Sequence, residues 1–250
     1  MPVNMDRLNE IATKYNLKVI EDCALAIGSY FNNKHVGLHG DFGCFSFYPV
    51  KHMTTAEGGM LISKNVESGE KIQRQKAFGV DRNMTERTVP GVYDVTMLGY
   101  NYRMNEIQAA LGIEQLKRLP DFLNKRRENY EVLSAGLKDI EEIYTFQSSF
   151  DNYQSSYYCF SAILNDQLAS KRVEIVNVLK ENGIGTSVYY PKPVPYFTYY
   201  KEKYNYAEND FPNASKISNN SISLPVGPHL DHDDMTYIID TIKDTIYKFK

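Results

Sequence analysis

The chain has 250 residues, 42% of them hydrophobic, enough to bury a sizeable core as one large domain or a domain with a smaller companion. Its 28 basic and 31 acidic side chains leave a net charge of -3, without the basic surplus that binding a phosphate backbone uses, and no run approaches the roughly 20 apolar residues that span a bilayer. Neither nucleic acid nor a membrane is expected as a partner, and the expected compartment is the cytoplasm.

Met5, Leu8, Ile11, Ala12 and Tyr15 fall on one helical face, with Asn4 placed to cap the start and Asn16 to mark the end, so a helix opens the chain. Residues 17–20 form a short apolar run leading into Glu21 and Asp22. That is the pattern of a buried parallel strand with acids at its C-terminal end, where functional groups of open α/β sheets gather. Strands over residues 43–48 and 59–63 and a helix over about 68–78 continue the α/β alternation, and residues 79–100 read as a long loop. From Asn105 the pattern is helical, with Ile107, Ala110, Leu111 and residues 116–119 on one apolar face, a break at Pro120, and a second helix carrying Leu123, Arg127, Tyr130, Leu133 and Leu137. Then come a strand over 157–164, a helix ending at Asn182-Gly183, and a strand over 184–190. Met235, Ile238, Ile239, Ile242, Ile246 and Phe249 mark a last helix behind caps at residues 231–234. This order predicts an α/β large domain over residues 1–137 and a small α+β domain over 138–250.

A carboxylate such as Asp22 at the end of a buried strand can stabilise a nearby cationic ring nitrogen, although on position alone such an aspartate is more often a turn or cap residue. Lys51 follows a strand inside Ser46-Phe47-Tyr48-Pro49-Val50-Lys51-His52. Buried among these apolar and aromatic neighbours, its amine would have a lowered pKa and could attack a carbonyl, whereas a lone loop lysine is usually a solvated charge. Cys23, Cys44 and Cys159 are widely spaced, with neither metal-ligand spacing nor a disulfide framework, so reduced thiols and no metal site are expected. Twenty tyrosines and no tryptophan suit either core and interface packing or a groove for a polar ligand.

Several runs occur in one order: Met5-Asp6-Arg7-Leu8, Val19-Ile20-Glu21-Asp22-Cys23-Ala24, Gly40-Asp41-Phe42-Gly43, Phe45-Ser46-Phe47-Tyr48-Pro49, Lys51, and Glu57-Gly58-Gly59-Met60. Further on stand Leu98-Gly99-Tyr100-Asn101-Tyr102-Arg103-Met104, Glu106-Ile107-Gln108-Ala109-Ala110, Arg126-Arg127-Glu128-Asn129, Phe211-Pro212-Asn213-Ala214 and Leu224-Pro225. Together they resemble the DegT/DnrJ/EryC1/StrS sugar-nucleotide aminotransferases, a fold-type-I family that uses pyridoxal 5'-phosphate. The resemblance implies that Lys51 holds the cofactor covalently and moves protons, that Asp22 hydrogen-bonds the pyridine nitrogen, and that Ser46 contacts the phosphate. It also implies that Asn101 reaches the phosphate of a neighbouring subunit, which makes the protein a homodimer. Some relatives carry histidine in place of this lysine and dehydrate sugars; Lys51 is retained here, with His52 beside it, so amino transfer is expected.

Four departures from the family pattern bear on that expectation. Leu25 stands where a glutamine or histidine commonly lies beside the cofactor's phenolic oxygen, and leucine cannot supply that hydrogen bond. Ile27 and Tyr189 stand where many members carry histidine. The family's N-terminal segment, with a phosphate-binding turn at a helix N-terminus, has no counterpart in these residues. Only three central strands can be counted before the helical pair, which leaves a sheet edge and face uncovered.

The expectation is therefore an incomplete fold-type-I large domain followed by a small C-terminal α+β domain. Its implied activity, in polysaccharide biosynthesis, is transfer of an amino group from a donor such as glutamate to a nucleotide-linked keto-sugar, with a separate N-terminal chain as a further expected partner. The alternative is an inactive remnant or interaction protein of the same family.

Overall fold

The computed structural model describes residues 1–81, 89 and 91–250. They form two compact units, Met1–Asp121 with Ser149–Ser156, and Phe122–Ser148 with Tyr157–Lys250. The units part inside a helix, at Asp121, whereas the sequence pattern suggests a border at that helix's end, after residue 137.

In the first unit, helix α1 (Met5–Lys14) opens where the Asn4 side chain accepts a hydrogen bond from the Arg7 amide at 3.0 Å, and closes beside Asn16, whose φ of 51° is left-handed. It buries Met5 and Ala12 but leaves Ile11 and Tyr15 exposed. Strand β1 (Ile20–Asp22) pairs in parallel with β4 (Phe42–Ser46), which pairs antiparallel with β5 (Gly59–Ser63). The first strand lies further along than the apolar run suggests. The reason lies 22 positions away: Val19 gives its amide to the Asp41 carboxylate at 2.9 Å and accepts the Asp41 amide at 2.8 Å, which ties the run to a loop.

Register fixes what each face of this sheet carries. Glu21 lies opposite Gly43 on one face, and Asp22 lies opposite Cys44 on the other, with Ser46 two residues further along on the same side as Cys44. The Glu21 face is covered by residues 37–40: the buried carboxylate accepts from the amides of Gly37, His39 and Gly40 at 2.6, 2.7 and 2.6 Å. A side chain at position 43 would exclude that segment, since a Cβ there would stand 2.5 Å from the Gly37 Cα.

A second small sheet was not foreseen. Strands β2 (Tyr30–Phe31) and β3 (Lys34–His35) form a hairpin around Asn32 and Asn33, whose φ angles of 50° and 59° match the left-handed pair of a tight two-residue turn. Strand β7 (Tyr153–Gln154) returns from more than a hundred residues away to pair with β2. Helix α2 (Val66–Gln75) starts behind an Asn65 cap. Between it and Asn101 the described residues make only isolated bridges, Ala77 with Asn101 and Val80 with Val95, as the long-loop reading expects; residues 82–88 and 90 of that stretch lie outside the described residues.

The helical pair expected around Pro120 is a single helix, α3 (Glu106–Leu137), with the proline inside it. Proline removes one intrahelical donor and crowds the preceding turn, a penalty of about 3 kcal/mol. Here tertiary burial of Leu119, Asn129, Tyr130, Leu133 and Leu137 outweighs it.

In the second unit, β6 (Ile143–Thr145), β8 (Phe160–Leu164) and β9 (Ser221–Leu224) form an antiparallel sheet in the order β6-β8-β9. Helices α4 (Asp166–Ala169), α5 (Arg172–Glu181), α6 (Thr198–Tyr204), α7 (Pro212–Asn220) and α8 (His232–Phe249) complete it. Phe160, Leu164, Leu168, Ile175, Leu179, Ile222, Leu224, Met235 and Ile242 share one core with the C-terminal end of α3, each such side chain contributing about 1.5 to 3 kcal/mol of burial. The strand expected over 184–190 reduces to one bridge, in which Ser187 and Ser223 exchange backbone hydrogen bonds at 3.0 and 2.8 Å. No helix among the described residues is long and apolar enough to cross a membrane.

Candidate active site

Asp22 and Ser46 end two adjacent parallel strands on one face of the first unit's sheet, and Lys51 follows Ser46 by five residues. The Asp22 Oδ1 accepts the Ala24 amide at 3.0 Å, an aspartate turn that starts the loop after β1. Its Oδ2 takes no hydrogen bond from the described residues, and the side chain is exposed. Ser46 Oγ accepts the Tyr48 amide at 3.4 Å, and the Lys51 amide donates to Tyr48 O at 3.0 Å, so a tight turn carries the half-buried lysine.

The foot of that loop is fastened. Phe47 O accepts from the Thr55 amide at 2.9 Å and the Thr54 hydroxyl at 3.0 Å, and the Phe47 amide donates to Gly58 O at 3.0 Å. On the helix side, Gln115 accepts the Thr54 amide at 3.3 Å and Gln108 donates to Glu57 O at 2.9 Å. Gly58 closes the loop with a φ of 150°, and a Cβ there would meet Thr55 Oγ1 at 2.4 Å, so the Glu57-Gly58-Gly59 run has a steric reason.

Acidic charge sets the local electrostatics. Burial, reinforced by Glu21 and Asp22, pushes the Cys23 thiol up to about 12, and burial with the Asp22 charge raises Cys44. Both thiols are thereby held neutral beside the acid. Leu25, at the expected phenolic-oxygen position, offers its backbone carbonyl instead, which accepts the Ser156 hydroxyl at 2.9 Å. Asn101 is exposed, its Oδ1 accepting from Arg103 Nε at 3.3 Å. In the second unit, the Tyr189 hydroxyl lies 3.4 Å from that of Tyr158.

The sequence reading gave no site role to Glu21 or Ser156, and noted His52 only as the neighbour of Lys51. Glu21 was visible as an acid in a buried run but carries no local sign of its three amide partners. His52 and Ser156 are both buried and meet through His52 Nε2 and Ser156 O at 2.9 Å, a pairing across 104 positions that no short motif encodes.

Pyridoxal 5'-phosphate presents an aldehyde that takes an amine, a ring nitrogen that takes an acid, and a phosphate that takes neutral donors. Lys51, Asp22 and Ser46 supply one of each at one end of one sheet, with an Asp22 oxygen uncommitted among the described residues, so this donor set fits the group.

Over 250 residues the chain is 33% identical to a UDP-4-amino-4,6-dideoxy-N-acetyl-beta-L-altrosamine transaminase of Campylobacter jejuni serotype O:23/36, a match covering 99% of this chain and 64% of that protein. Among solved structures it resembles Helicobacter pylori PseC, an aminotransferase involved in the biosynthesis of pseudoaminic acid, with a TM-score of 0.91, 27% identity, and coverage of 99% of this chain and 64% of that one. A putative sugar aminotransferase of Streptococcus pneumoniae in its PLP-form gives a TM-score of 0.90 at 26% identity, covering 100% of this chain and 66% of that one. The chain thus spans about two thirds of the length of these relatives and shares with them the type-I fold of pyridoxal-phosphate aminotransferases. With a family match that runs over residues 1–243, it belongs to the DegT/DnrJ/EryC1/StrS aminotransferase family.

Proposed function

We propose that the protein takes part in pyridoxal-phosphate-dependent transfer of an amino group, from a donor such as glutamate, to a nucleotide-linked keto-sugar in cytoplasmic polysaccharide biosynthesis. The observation that carries this reading is the placement of Asp22 and Ser46 on one face at the ends of two paired parallel strands, with Lys51 on the turn that follows. The names of the relatives, which are transaminases and sugar aminotransferases, support the substrate class.

When bound, pyridoxal phosphate supplies an electron-accepting ring beside the carbon that loses its proton. Lys51 would hold the cofactor through its amine at the aldehyde carbon, and the same amine would carry a proton between the two carbons that flank the transferred nitrogen. Asp22 keeps a proton on the ring nitrogen, because its anion lowers the energy of the charged ring form. Ser46 donates a hydrogen bond to a phosphate oxygen without adding charge. Asn101 serves the phosphate held by a second copy, so the working unit is a homodimer.

A separate N-terminal chain is a further partner in this reading. It is favoured by Ile20, 66% exposed, and Leu61, 41% exposed, both on the sheet face that carries Asp22 and Ser46. The test is spectroscopic: the purified chain with added pyridoxal phosphate should develop a visible absorbance band that glutamate discharges and a nucleotide-linked keto-sugar restores. A band untouched by glutamate, or by any other amino donor tried, rules the reading out.

A further inference from the structure

We propose that Ser149–Ser156 is a positioning strap, in which Ser156 and His52 hold the Lys51 turn against the loop that follows Asp22. The assignment of roles to Lys51 and Asp22 rests on the functional reading above; the strap itself rests on geometry within the first unit.

The segment comes from far along the chain yet belongs to that unit. Its first part is anchored on the hairpin: Phe31 pairs with Tyr153 and Tyr30 with Gln154, the Phe31 and Tyr153 rings lie 4.9 Å apart, and the Asn32 amide donates to Asn152 O at 2.9 Å. Its last residue then makes two contacts in opposite directions. The Ser156 hydroxyl donates to Leu25 O at 2.9 Å, and Ser156 O accepts from His52 Nε2 at 2.9 Å. Because the partner is a carbonyl, the His52 Nε2 must carry the proton. Leu25 is three residues past Asp22, and the Ala24 amide between them is the one held by Asp22 Oδ1. His52 is the neighbour of Lys51. One buried serine therefore stands between the two loops.

Burial makes these contacts count. Ser156 and His52 are each only 3% exposed, so water does not replace a lost partner and the carbonyls are satisfied from within. The loop's foot has its own ties through Phe47, Thr54 and Thr55, but none of these bonds involves Ser156. A displacement of about 1 Å at a reacting group is enough to lower a rate by a large factor, which is why a serine with no chemistry of its own matters at this place. Ser156 and His52 are positioning residues in this account, acting through Lys51 and the Asp22 loop.

The test uses the full chain and two variants that break different halves of the strap. Ser156→Ala removes the hydroxyl to Leu25, and His52→Phe keeps a ring but removes the donor to Ser156 O. Trace acetylation with acetic anhydride, followed by peptide mapping, reads the amine reactivity of Lys51 without any cofactor. Both variants should change the Lys51 rate about threefold or more relative to Lys117 and Lys180, which stay at parental values. An unchanged Lys51 in both variants overturns the strap, and so does a parallel change in every lysine, which would report general loosening. In a second arm, hydride trapping of pyridoxal phosphate at Lys51 should require about tenfold more cofactor for half-maximal labelling in each variant, the equivalent of about 1.4 kcal/mol. Equal requirements in parent and variants also overturn it. If the parent itself is not trapped, the functional reading fails, while the acetylation arm still decides the strap.

Discussion

Lys51 and Asp22 make separable demands on chemistry, and so their variants should fail differently. Lys51→Ala removes the only group in this account that bonds the cofactor covalently, and should abolish hydride-stable labelling of the turn while leaving a folded chain by circular dichroism. Asp22→Asn keeps a hydrogen-bonding side chain without the anion, so cofactor capture should persist while amino transfer falls about a hundredfold or more, measured as product formed per captured cofactor; equal activity would remove Asp22 from the catalytic set. Cys23 has the opposite character. With its thiol held up to about 12 and almost no surface, it should resist iodoacetamide at pH 8 in the folded chain and react once urea unfolds it. These candidates were legible because a strand end and the turn after it are local: Asp22, Ser46 and Lys51 are each marked by neighbours within a few positions. Ser156 was not, since its partners Leu25 and His52 lie 131 and 104 positions away and nothing in Gln154-Ser155-Ser156 signals them.

Elements followed the same division between local and distant causes. Helix α8 was readable from its spacing and caps, and the structure gives it a full capping box, with the Asp231 side chain accepting from the Asp234 amide and the Asp234 side chain accepting from the Asp231 amide. Asp231→Ala should therefore lower stability by about 1 kcal/mol in urea unfolding, with no change in cofactor capture. Strand β5 matched its expected span, whereas β1 was displaced by the Asp41 contacts at Val19, made from 22 positions away. Pro120 misled for a related reason. Its local penalty is real, but the burial that keeps α3 continuous comes from β-strands and a helix far along the chain, and is invisible in a window around the proline. The β2–β3 hairpin carries a local signal that was available, the adjacent Asn32 and Asn33, but its strands are only two residues long and show no alternation to draw attention to them.

For the whole molecule, acid should act on the ion pair that joins the last residue to the small sheet. The Lys250 ammonium lies 2.6 Å from Glu142 and holds its carboxyl below the ordinary value, while Glu142 raises Lys250. A depressed carboxyl contributes stability that is present above its unfolded value and lost as pH falls through its folded one. Glu142→Gln should accordingly melt below the parent at pH 7, and the gap should close below about pH 4. A gap constant with pH would mean that the pair adds nothing through its charge. At the same scale, exposed Ile20 and Leu61 lie on the sheet face that carries the candidate site. The central claim is nevertheless carried by one side chain, and one measurement addresses it: reduction of the purified chain with borohydride in the presence of pyridoxal phosphate, followed by peptide mapping. The account predicts a single stable pyridoxyl label on Lys51; a label on another lysine, or none at saturating cofactor, would contradict it.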